Sequence, residues 1–148
     1  PNTYLTIGGH SPESLQQALA HNTMLHKSSL NAKELETINL AVSEATGCDY
    51  CLAAHSMMAK KAGFSSEQIR ELRRGQYAED AHLDALAKFA QTLVTTTGTL
   101  PEADVTALRD AGFSDRQVIE AISAISAILF TNMVNRVNDT VIDFPKAD

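Results

Sequence analysis

Both cysteines of the chain fall in one short stretch, Gly47-Cys48-Asp49-Tyr50-Cys51-Leu52-Ala53-Ala54-His55. If Gly47 ends one helix and Cys48 opens the next, Cys48, Cys51 and His55 stand at i, i+3 and i+7 and share one helix face. Thiols in a first helical turn lie among unpaired backbone N–H groups at the positive end of the helix dipole, which favours the thiolate. A histidine one turn along is placed to accept or relay a proton. Such a pair can cycle between dithiol and disulfide, one sulfur attacking and the other resolving. Spacing leaves the two roles open, and helix-start electrostatics taken alone favour Cys48 as the attacker.

An orienting group for His55 has to come from elsewhere. Glu36 lies eleven residues before Gly47 and His55 eight after it. Antiparallel packing of the two helices then brings them roughly alongside, so Glu36 can hold the imidazole by a charge-assisted hydrogen bond. Glu44, nearer the turn, is the competitor and is expected to face solvent. His10, His21, His26 and His82 have no shared spacing that indicates a site.

The elements that must carry these residues read as helices almost throughout. Strand-like alternation is absent, and helix formers run between punctuation that reads as caps. Ser11-Pro12-Glu13 starts a helix to about Lys27, and Asn31 with Glu34 starts the next, which Gly47 ends. A third runs from about Cys48 to Ala62. Ser65 and Gln68 cap a short one, Asp80 to Thr96 forms another, and Pro101 opens one ending before Gly112. The last, capped by Ser114 and Gln117, runs to about Asn138, for about seven helices in all. An internal repeat cuts across this order: Ala62-Gly63-Phe64-Ser65 recurs as Ala111-Gly112-Phe113-Ser114, with Gln68/Gln117 and Glu71/Glu120 also matched. The unit is a helix stop, a phenylalanine in the corner and a capped restart. At this offset Cys48, Cys51 and His55 fall on Thr97, Leu100 and Asp104, so only one half carries chemistry.

Composition bounds the function. With 148 residues and 44% hydrophobic content, residues 1–148 make one domain that can bury a core without metal or disulfide staples. A formal charge of −6 excludes the basic footprint of a nucleic-acid binder. The most apolar stretch, 121–130, is too short to span a bilayer, and the first residues do not pattern as a signal peptide. The expectation is a soluble cytoplasmic protein, where thiols stay reduced and a cysteine pair is catalytic or metal-binding. The segment 118–135 is apolar on nearly every side, as a helix buried all round must be, and a subunit interface would cover it in a homo-oligomer.

The pattern Glu36-x11-Cys48-x2-Cys51-x3-His55, on consecutive helices of an all-helical chain, resembles the alkyl hydroperoxidase (AhpD-like) branch of the carboxymuconolactone decarboxylase family. The resemblance implies a thiol-dependent peroxidase. Cys51 then attacks the peroxide, Cys48 resolves it, and Glu36 and His55 form the proton relay. It also implies that the redox-active Cys48–Cys51 disulfide serves in place of a bound cofactor. An external dithiol, lipoyl or thioredoxin-like, is the reductant, and the assembly is a trimer or a hexamer built from trimers. Some members carry a histidine just before the second cysteine, where this chain has Tyr50. A phenol of pKa about 10 passes a hydrogen bond but is a poor resting base, so Tyr50 is either part of the relay or a packed ring. Members lacking the cysteines include lactone decarboxylases, an activity that the two thiols disfavour here. Two other classes use the same atoms: a zinc-stabilised interaction module with Cys48, Cys51, His55 and Glu36 as ligands, and a disulfide oxidoreductase acting on a protein partner.

Overall fold

The computed structural model describes residues 1–148 and contains eight α-helices and no strand. They are α1 (Asn2–His10), α2 (Pro12–His26), α3 (Ala32–Thr46), α4 (Asp49–Lys61), α5 (Ser66–Arg73), α6 (Ala81–Thr95), α7 (Glu102–Asp110) and α8 (Asp115–Asn138). From α2 onward the caps stand where the sequence puts them. Ser11 accepts from the Ser14 N–H, and Asn31 with Glu34, Ser65 with Gln68 and Ser114 with Gln117 close reciprocal capping boxes. The additional helix is α1. It has no side-chain N-cap and carries Gly8 and Gly9, so local propensity argues against it. Tertiary contact makes it: α1 lies antiparallel on α2 and reaches α8, with Thr3 and Ile7 buried.

The axis of the fold is α3, which packs against α4, α5, α6 and α8. Ile38, Leu40, Ala41 and Val42 are wholly buried, on several sides of the helix at once. Burial of each large side chain contributes about 1.5–3 kcal/mol, so the centre of α3 anchors the core. The chain leaves α3 through Gly47, whose φ of 76° is the left-handed conformation that glycine adopts without strain.

The repeat is a structural one. Gly63 and Gly112 have φ of 106° and 101°, and the Phe64 and Phe113 N–H groups reach back to the Ala59 and Leu108 carbonyls. Both rings are buried, Phe64 edge-on against Tyr77 and Phe113 stacked on the His82 ring at 3.8 Å.

The helix α8 is not buried all round. Ala121, Ala124, Ile125, Ile128, Asn132 and Asn135 face the core, whereas Ile119, Ile122, Phe130, Met133 and Val137 are exposed. The helix also continues well past residue 130, so by length and composition it is the one helix apolar enough to cross a membrane. That corrects the expectation drawn from residues 121–130 alone. In this fold it packs on α1, α2, α3, α4 and α6 and turns two asparagines inward.

His82, at the start of α6, ties three elements together. Nδ1 lies 2.7 Å from the Ala111 carbonyl at the end of α7, and Nε2 lies 2.8 Å from Glu34 Oε2 in the first turn of α3. Both partners accept, so both ring nitrogens must donate, and the imidazolium is the form that fits. Burial alone would lower the His82 pKa; the bonds to Ala111 and Glu34 and the Glu34 charge outweigh it and hold the pKa above its ordinary value. A raised folded pKa contributes stability that is complete below the unfolded value near 6.5 and is lost as pH rises through the folded value. The stability difference between the wild type and His82→Gln should therefore be largest at about pH 6 and shrink by about pH 9, as read from urea unfolding midpoints across that range.

Candidate active site

Cys48 belongs to two helices. Its N–H donates to the Ser43 carbonyl at 3.0 Å, closing α3 behind Gly47, and its Sγ accepts the Cys51 N–H at 3.2 Å, capping α4. The N-cap is thus a sulfur. Cys48 and Cys51 are joined as a disulfide, and both are buried, 1% and 3% exposed.

The tight α3–α4 hairpin sets Glu36 against His55, with His55 Nδ1 2.8 Å from Glu36 Oε2. A carboxylate can only accept, so Nδ1 carries a proton, and Nε2 is the nitrogen left free to exchange one. The protein gives Nε2 no partner. Glu44 is instead at the surface, paired with Arg73 at 2.9 Å, as its position near the turn predicts.

Cys51, His55 and Glu36 line one cavity of about 610 Å³, walled by α2, α3, α4 and α8 and closed by Thr3, Tyr4 and Phe144. Its size is that of a small-molecule site. Leu25, Leu35, Met58 and Ile128 supply an apolar wall, while His26 and Lys61 add polar groups. Cys48 does not line it, so of the two sulfurs only Cys51 faces the space a substrate would occupy. Sequence reasoning missed Asn135, which reaches from α8 to place Nδ2 3.5 Å from Cys51 Sγ. The partners are 84 residues apart, and no local pattern joins them.

Tyr50 faces another set of partners. Its hydroxyl donates to Asp143 Oδ1 at 2.7 Å and accepts the Thr3 N–H at 3.2 Å, and its ring meets Phe144 edge-on. Burial first, then the bond to the Asp143 carboxylate and its charge, push the phenol pKa up to about 12. The group is a neutral clamp between α1 and the C-terminal segment. His21 bonds Ser123 Oγ, and His26 bonds the Asn22 carbonyl one turn back. No three His, Cys, Asp or Glu side chains converge as a metal cluster. The thiols are joined to each other and His55 is turned to Glu36.

The all-helical scaffold thus sets a Cys-x-x-Cys disulfide at the start of one helix, beside a Glu–His pair. Residues 12–91, more than half of the chain, match the carboxymuconolactone decarboxylase family, and the chain belongs to it. Among curated proteins no sequence matches significantly. Solved structures do. A protein of unknown function from Agrobacterium tumefaciens, named for a proposed AhpD role in antioxidant defence, superposes with a TM-score of 0.84 at 22% identity, covering 93% of this chain and 96% of its own. The alkylhydroperoxidase AhpD core of a peroxidase-related protein from Ralstonia eutropha JMP134 gives 0.83 at 23% identity, covering 100% and 77%. The debrominase Bmp8, in complex with 2,3,4-tribromopyrrole, gives 0.84 at 20% identity, covering 97% and 77%. At these identities the likeness establishes the fold.

The clamp makes a specific demand on Tyr50. Tyr50→Phe keeps the ring but removes the acceptor of the Thr3 N–H and the donor to Asp143. Amide exchange at Thr3 and over residues 141–144 should rise, while Cys51 in the reduced protein alkylates at an unchanged rate. A fall of about tenfold or more in thiol reactivity would instead put Tyr50 on the proton path.

Proposed function

We propose that the protein is a thiol-dependent peroxidase reducing organic hydroperoxides through the Cys48–Cys51 pair. The observation that carries this reading is the placement of Cys51 on the cavity wall, disulfide-bonded to a buried Cys48 and one helical turn from a histidine whose free nitrogen is set by Glu36. His55 takes the Cys51 thiol proton, and the thiolate attacks the terminal peroxide oxygen. The S–O bond forms as the O–O bond breaks, and the leaving alkoxide collects the proton from His55 as an alcohol. Cys48 then attacks the sulfenic acid, forming the disulfide and releasing water, and an external dithiol, lipoyl or thioredoxin-like, restores both thiols. The protein works in the cytoplasm without a bound cofactor or metal. The debrominase likeness indicates that this fold serves more than one reaction, so the substrate is what the test must decide.

A modest excess of organic hydroperoxide added to metal-free reduced protein should consume both thiols and give one intramolecular disulfide, with no dimer on a non-reducing gel. Turnover should then follow with one of a panel of dithiols. Surviving thiols, or one bound zinc per chain, would favour the zinc module, and turnover only with a protein disulfide would favour the oxidoreductase. Cys51→Ser should abolish the reaction, whereas Cys48→Ser should stall as a sulfenic acid trapped by dimedone. His55→Gln should lose about 10²-fold or more, and Glu36→Gln less, because it still accepts from Nδ1 without the charge.

The exposed row on α8, Ile119, Ile122, Phe130, Met133 and Val137, repeats at helical spacing and supports the homo-oligomer. Light scattering at micromolar concentration should give a trimer or hexamer, and Ile122→Asp with Met133→Asp should dissociate it. A wild-type monomer would remove this part of the reading.

A further inference from the structure

Asn132 and Asn135 sit one turn apart on α8, both buried, and only one of them is satisfied. Asn132 Oδ1 accepts from Thr46 Oγ1 at 2.9 Å and its Nδ2 donates to Ser43 Oγ at 3.2 Å. Asn135 is 5% exposed and lines the cavity. Its Nδ2 faces Cys51 Sγ at 3.5 Å, and its Oδ1 has no hydrogen-bond partner. A leucine of the same branching, though bulkier, would give an apolar wall without leaving a buried acceptor unpaired, so packing does not account for an amide here. Sulfur is a weak acceptor as a disulfide and a strong one as a thiolate, which makes the Nδ2 contact most valuable in the reduced protein.

We propose that Asn135 is a positioning residue for the attacking sulfur: in the reduced protein its Nδ2 donates to the Cys51 thiolate, stabilising it and holding the sulfur at the cavity wall. The inference rests on the reading of Cys51 as the attacking thiolate. The thiolate pair forms the S–O bond, and the O–O pair leaves with the alkoxide, which is protonated by His55. The hydroxyl proton stays on the transferred oxygen. Asn135 Oδ1 is shut off from the cavity, so the amide acts on the sulfur and not on the peroxide. The titratable groups around Cys51 are Tyr50 and His55 on α4 and Glu36 on α3, with Tyr4, His26 and Lys61 also on the cavity wall. All of them remain in an Asn135 variant, so a change in the Cys51 titration reports the amide.

The test uses Cys48→Ser, which leaves one thiol. In that background Asn135→Ala should raise the Cys51 pKa, read from thiolate absorbance against pH, by about one unit, the size of a lost hydrogen bond to a charged group. Corrected for thiolate fraction, its rates with iodoacetamide and with an organic hydroperoxide should both be unchanged, whereas the uncorrected rates at neutral pH should fall in proportion to the thiolate lost. Asn135→Asp keeps an acceptor, loses the donor and adds a like charge, so it should raise the pKa further. An unchanged or lowered Cys51 pKa would overturn the proposal. Should Asn135→Ala fail to fold by circular dichroism, Asn135→Ser, with a shorter reach, carries the same reading. If the parent forms no sulfenic acid with hydroperoxide, the peroxidase reading fails, while the thiolate titration still decides the Nδ2 contact.

Discussion

Cys48 ends one helix with its N–H and begins the next with its sulfur, and only because Gly47 takes a left-handed conformation can one residue do both. The connection between α3 and α4 is thereby held to two residues, which leaves the helices no option but an antiparallel hairpin. From this constraint the register of the site follows. A longer loop would let α4 slide along α3 and separate His55 from Glu36. The disulfide is set by the same turn, since an N-cap residue and the third residue of its helix are already neighbours. Burial of α3 on several sides then fixes the hairpin within the core.

Two glutamates in the first turns of α3 each hold a histidine, and the contrast between the pairs is instructive. Glu34 and Glu36 are two positions apart, about 200° around a helix, so they face different neighbours. Glu34 also accepts the Asn31 N–H and meets a His82 whose other nitrogen is spent on the Ala111 carbonyl. That ring has no free nitrogen and joins three helices. Glu36 meets a His55 whose second nitrogen has no protein partner and whose ring lines a cavity with a sulfur on its wall. The same pair of residue types is a structural staple in one place and a candidate relay in the other, and what separates them is the second nitrogen.

What the sequence makes legible here is what is local. Caps from Ser11 to Ser114, the stop at Gly47 and the corner repeat all depend on residues within a few positions of one another, and the structure has each of them. The Glu36–His55 contact was also reachable, because a tight hairpin converts counting into register. Other features depend on distant chain. The helix α1 exists through α2, α8 and the Tyr50 clamp against its own glycines, and the amide of Asn135 meets Cys51 only once α8 has packed. The apolar character of α8 was plain in sequence, but periodicity cannot say which apolar face the rest of the chain will cover, and here one face stays open.

The two sulfurs are unequal in a way that bears on both halves of a redox cycle. Helix-start electrostatics favour a thiolate at Cys48, the sulfur that accepts a backbone N–H, whereas the cavity and Asn135 favour reaction at Cys51. On the peroxidase reading these preferences do not compete. The attacking sulfur needs access and a nearby base, and Cys51 has both. During re-reduction an incoming thiolate can reach only the sulfur that faces the cavity, so it attacks Cys51 and expels Cys48. Exchange is faster when the expelled sulfur is the better leaving group, and a sulfur that accepts a backbone N–H at a helix start, as Cys48 does, is favoured in that part. On that reading the asymmetry built at one helix junction would serve oxidation through the place of Cys51 on the cavity wall and reduction through the helix-start position of Cys48. A chain with the sulfurs exchanged would be poorer at both steps.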